Sequence, residues 1–167
     1  MTNFGFTEFL LAALAVTLVV IAIIDVRTFT ISNRINASIA LAAPLYWWSA
    51  GVPLWPDAAI QVGVALAVFA VLAATFYIGM MGGGDVKLAA ALALWFSPVS
   101  TVKFLVIMSL AGGLLTVVVL ILHHLKTRRA RAAGDEKEIS KPEVPYGVAI
   151  AIGALWILAQ RFLNQFA

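Results

Sequence analysis

The sequence has no cysteine, which removes disulfides, a thiolate nucleophile and any thiolate-ligated zinc site from consideration. Histidine is nearly as scarce, with two adjacent residues, His123 and His124, in a basic stretch that makes a poor metal centre. Charge is sparse too: Asp, Glu, Lys and Arg supply 11% of 167 residues, against roughly 25% in an average soluble domain. By contrast, 63% of the residues are hydrophobic and the mean hydropathy is +1.02. A water-soluble fold of this size has too little interior to hide so many apolar side chains, so the bilayer is the expected solvent. The net charge of +3 is clustered, which reads as a topology signal, and no nucleic-acid partner is expected.

An all-α polytopic membrane protein of six transmembrane helices follows from the apolar runs. Four stretches approach or exceed the roughly 20 residues that cross a hydrocarbon core: Phe6 to Ile24, Ala58 to Ile78, Phe104 to Leu122 and Val144 to Gln160. Two are shorter. Ile35 to Ala50 is interrupted by Pro44 and ends in Tyr46, Trp47 and Trp48, expected at an interfacial belt, and Val86 to Phe96 closes at Ser97 and Pro98. The first run has no Lys or Arg before it and no cleavage pattern leading into a soluble body, so it is expected to remain as a membrane helix. Residues 1–167 read as one integral-membrane domain, with a flexible basic loop over 123–143.

Lys and Arg set the orientation, because they concentrate in cytoplasmic loops. Arg27 and Arg34 fall in the first loop, Lys87 beside the third, and Lys126, Arg128, Arg129, Arg131, Lys137 and Lys141 in or beside the fifth. Only Lys103 and Arg161 fall elsewhere. Both termini are therefore expected outside the cytoplasm.

Two acids stand where a carboxylate needs a reason. Asp25 ends the first apolar run, and Asp85 follows Gly82, Gly83 and Gly84 to open the fourth helix, both at the expected cytoplasmic face. A charge at a bilayer centre costs on the order of 2.5–3.5 kcal/mol, less near the interface. If the first and fourth helices are neighbours, the two carboxyls share one site and cannot comfortably both ionise, which is the chemistry of an aspartic protease. One member activates water and the other polarises the scissile carbonyl. Helix ends suggest the division: Asp85 at an N-terminus is expected to hold the charge that the C-terminus carrying Asp25 disfavours. The glycines are expected to allow unusual backbone conformations and the close approach of a substrate strand. Simpler roles exist for individual residues: Asp25 as a helix-end marker, Asn33 as an N-cap, Lys87 as a positive-inside anchor and Pro145 in the first turn of the last helix.

Three segments together resemble the type IV prepilin peptidases, and within them the short Flp/Tad-type form. DVRTFTISN, from Asp25 through Ile31 to Asn33, is similar to the family's aspartate segment, with Ser32 where proline is usual. GGGDVKL matches the GxGD signature through Gly82, Gly84 and Asp85 and continues it with Lys87 and Leu88. VPYGVAIAIGAL, Val144 to Leu155, resembles the opening of the family's last helix. The resemblance implies an aspartic endopeptidase of a bacterial inner membrane that cleaves prepilin or pseudopilin precursors at the cytoplasmic face. Cleavage would fall after a glycine, between a short basic leader and an apolar helix. Asp25 and Asp85 would be catalytic, with Gly82, Gly83, Gly84, Lys87 and Asn33 in support. The paired cysteines of the long bifunctional relatives are absent, so nothing implies N-methylation. No metal or organic cofactor is expected; the bilayer and the prepilin are the expected partners, and oligomeric state is not legible. The alternatives are an ion- or proton-conducting protein, a structural subunit of a secretion complex, and an archaeal preflagellin peptidase built on the same motif.

Overall fold

The computed structural model describes residues 4–132 and 143–165. They form six α-helices, and no strand occurs among them: α1 Phe4–Thr28, α2 Asn33–Ala50, α3 Ala59–Tyr77, α4 Gly83–Ala93, α5 Pro98–Ala132 and α6 Tyr146–Gln165. A short helical segment, Leu54–Ala58, leads into α3. Each run expected to be helical is one, but the six are unequal. Four are long and apolar enough to cross a membrane: Gly5–Thr28, Leu54–Tyr77, Pro98–Arg129 and Tyr146–Leu163. With 11 residues, α4 rises roughly 16 Å, about half the hydrocarbon thickness.

The short helix lies at the centre. Val86, Leu88, Ala89, Ala91, Leu92 and Ala93 of α4 are all buried, because α4 packs against α2, α3 and α6. Leu11, Leu14, Leu18 and Ile21 recur at helical spacing to form the buried stripe of α1, which packs on α2 and α6. A Cβ on Gly153 would stand 3.0 Å from the Phe104 carbonyl oxygen, so the missing side chain lets α5 and α6 approach closely.

Two expectations change here. Tyr46 and Trp47 are buried and only Trp48 faces outward, 71% exposed. The reason is hydrogen bonding across the bundle. The Trp47 indole donates to the Leu94 carbonyl at 2.8 Å, the Trp95 indole donates to Ile39 at 3.0 Å, and Arg161 donates to the Tyr46 hydroxyl. Of the flexible loop expected over 123–143, the first part is helix instead, because α5 continues through His123 to Ala132. Tyr146 of α6 packs beside Gly112, so α5 runs on for roughly five turns past the start of its neighbour. Lys137 and Lys141 lie outside the described residues.

Candidate active site

Asp25 lies in the last turn of α1, where its carbonyl accepts from the Phe29 N–H at 2.9 Å. It points inward: the residue is 3% exposed. Asp85 is the third residue of α4, and it lies near enough to Asp25 for that charge to act on it. The two acids, two helices apart in the sequence, come together although α1 and α4 meet mainly through α2 and α6, on which both pack. Each retains a buried oxygen, Asp25 Oδ2 and Asp85 Oδ1, with no hydrogen-bond partner among the described residues. Acceptors buried without donors are costly and rare in a finished core.

A third helix end completes the site. The backbone N–H groups of Gly147 and Val148, in the first turn of α6, face the Asp25 carboxyl, and free N-terminal amides favour negative charge. Burial first, and the charge of Asp25 second, raise the Asp85 carboxyl from the usual 3.8 to about 7, against the opposing effect of a hydrogen bond from the Gly82 backbone. The expectation that Asp85 carries the charge considered the ends of α1 and α4 alone and not the burial of its carboxyl. The open amides that meet Asp25 belong to α6.

The glycines act through their size. Among them and their neighbours only Gly79, in the turn before the motif, has a left-handed φ of 73°; Gly82 is extended and Gly83 and Gly84 are helical. A Cβ on Gly82 would lie 2.7 Å from Asp85 Oδ2, one on Gly83 3.3 Å from the Phe76 ring, and one on Gly84 3.0 Å from the Ile31 carbonyl oxygen. At Gly83 and Gly84 the place of a side chain is thus met by the protein's own Phe76 and Ile31.

Asn33 and Lys87 sit at the rim, bonded to each other: Lys87 Nζ donates to Asn33 Oδ1 at 2.9 Å. The N-cap of α2 is Ser32, whose hydroxyl accepts from the Arg34 N–H at 3.3 Å. Asn33 is the first helical residue and spends its side chain on Lys87.

Three residues at the site went unforeseen. Gly147 seats Asp25, since a Cβ there would stand 2.8 Å from the carboxyl carbon. Ile31 reaches both glycine-lined surfaces, 2.9 Å from that same position and 3.2 Å from the position of a Cβ on Gly84. Asn36 donates from Nδ2 to the Gly84 carbonyl at 2.8 Å. Beside Ile31 a groove of about 290 Å³ opens between α1 and α2, lined by Ile21, Ile24, Thr28 and Ile35 among others. Ile31, two positions before Asn33, and the glycine of VPYG were visible in the sequence, but only the fold reveals what they touch.

Residues 12–117 of the chain match the type IV leader peptidase family. No curated protein and no solved structure matches significantly.

Proposed function

The chain belongs to the type IV leader peptidase family, and from that membership as a peptidase we propose that it is an aspartic endopeptidase cutting leaders from Flp/Tad-type prepilins at the cytoplasmic face of a bacterial inner membrane. The observation that carries this reading is the convergence of Asp25 and Asp85, each with an unpartnered buried oxygen, at one end of the bundle.

The chemistry follows from the two environments. Asp25, faced by the α6 amides, is the ionised member and takes a proton from a water molecule as that water attacks the scissile carbonyl. Asp85, with its carboxyl raised to about 7, is the protonated member and hydrogen-bonds the carbonyl oxygen as negative charge develops there. Collapse of the tetrahedral intermediate breaks the C–N bond. The proton gained by Asp25 passes to the departing amine, and the two aspartates share one proton again.

Topology supports the face. Arg27 ends α1, Arg34 begins α2, Lys87 lies in the first turn of α4, and Lys126, Arg128 and Arg129 lie near the end of α5, all at the end of the bundle that holds the aspartates. Lys103 and Arg161 lie toward the opposite end. An apolar groove beside the site suits a substrate whose cut junction begins an apolar helix.

Co-expression with an Flp-type prepilin tests the reaction and its substrate. The expected product has lost the mass of its leader, with the new N-terminus directly after the leader's terminal glycine. A prepilin that keeps its full mass beside well-expressed enzyme contradicts the substrate assignment.

A further inference from the structure

The buried residues of α2 are Asn36, Ile39, Ala43, Tyr46, Trp47 and Ser49; the Ser49 hydroxyl is hydrogen-bonded within the bundle, whereas Asn36 is out of character. Asn36 is 4% exposed, in a position where the helical pattern calls for an apolar side chain. Its amide is only half satisfied. Nδ2 donates to the Gly84 carbonyl, while Oδ1 is buried without a partner among the described residues. The orientation is fixed by chemistry, since a carbonyl only accepts and the nitrogen must face it. A leucine of similar bulk would remove the unpaired oxygen and extend the apolar contacts of Ile39, so packing gives no reason for an amide here.

The segment that Asn36 holds explains the choice. Gly82, Gly83 and Gly84 have no side chains with which to fix their own backbone, and glycine is the residue that loses most freedom on ordering. Asp85 follows directly, and the Gly84 carbonyl belongs to the same peptide plane as the Asp85 N–H. A hydrogen bond to that carbonyl therefore adds a lateral restraint, at the first turn of α4, to the plane from which Asp85 projects. Packing by Ile31 restrains the same residue through contact alone, whereas the Lys87 to Asn33 bond lies at the exposed rim. Asn36 provides the buried directional restraint.

We propose that Asn36 is a positioning residue of the peptidase reaction, holding the Gly84–Asp85 peptide so that the Asp85 carboxyl meets the scissile carbonyl in register with Asp25. This rests on the proposed aspartic mechanism. A displacement of about 1 Å at a reacting group can cost on the order of 100-fold in rate while leaving substrate binding intact.

The test compares purified wild type with Asn36→Leu, Asn36→Asp and Asn36→Thr on one prepilin in detergent. It records kcat, KM and the thermal midpoint, with Asp85→Asn as the inactive control. Leucine removes the donor and is expected to lower kcat about 10- to 100-fold with KM within about twofold, whereas a buried aspartic acid keeps an O–H donor and is expected to stay closer to wild type. The leucine variant is expected to melt at or above the wild-type midpoint, because it loses an unpaired buried oxygen. Threonine restores a donor and is expected to recover at least about tenfold of the leucine loss. A leucine variant as fast as wild type overturns the proposal, as does loss of activity and midpoint together in all three variants, or a rise in KM with kcat unchanged. An active Asp85→Asn control instead overturns the mechanism beneath it.

Discussion

A single methyl group on Gly147 would stand 2.8 Å from the carboxyl carbon of Asp25. The helix that supplies amides to this acid can approach it only because its second residue has no side chain. Gly147→Ala must therefore push α6 away from Asp25 or turn the carboxyl out of place. The expected result is a loss of prepilin cleavage of about 100-fold or more, measured by mass spectrometry on protein that remains monodisperse in detergent. Gly63→Ala, where nothing lies within 4 Å of the new Cβ, serves as the control and is expected to cleave as wild type does.

The pH profile should report Asp85. Its carboxyl is raised to about 7 by burial and by Asp25, and the proposed mechanism uses its protonated form. As pH rises through that value the proton is lost, so kcat should fall above about pH 7, approaching tenfold per pH unit. Initial rates from about pH 5.5 to about pH 8.5 check this. A rate that is flat or still rising across the upper part of that range removes Asp85 from the acid role. The midpoint belongs to the pair of aspartates as a coupled unit.

Ser32 occupies the place where resembling sequences carry proline, and its backbone explains why both residues fit. At φ −65° and ψ 132° it already has the conformation that a pyrrolidine ring imposes. Proline would give up the serine cap on the Arg34 N–H, worth about 1 kcal/mol, and would recover about 0.4–1 kcal/mol by restricting the unfolded chain. Ser32→Pro is expected to change cleavage by less than about threefold and the thermal midpoint by a few degrees at most. A loss of tenfold or more would show that the serine hydroxyl matters beyond capping.

The parts of this architecture that were legible in the sequence depend on local composition. Apolar runs announce helices because no other solvent would tolerate them, and Asp25 and Asp85 stood out because acids are expensive at such positions. The errors came where a distant segment decides. Tyr46 and Trp47 look like interfacial anchors until Leu94 and Arg161 are found beside them. Asn33 looks like a cap until Ser32 takes that role and Lys87 engages its side chain. The amides that face Asp25 come from α6, which begins more than a hundred positions later in the chain. Asn36 is a similar case: a polar residue among apolar ones in α2, unremarkable until the Gly84 carbonyl lies 2.8 Å away. Even the basic segment after Leu122, polar enough to read as loop, continues as helix because nothing between His123 and Ala132 breaks it.

The central claim is that Asp25 and Asp85 act as one catalytic unit, and the most direct measurement is the cleavage rate of Asp25→Asn, Asp85→Asn and the double variant on a purified prepilin. Asparagine keeps the shape of each side chain and removes its capacity to exchange a proton. The account predicts that each single variant falls by about 1,000-fold or more and that the double variant is no worse than either, because groups acting together fail together. Cleavage near the wild-type rate by either single variant would contradict it.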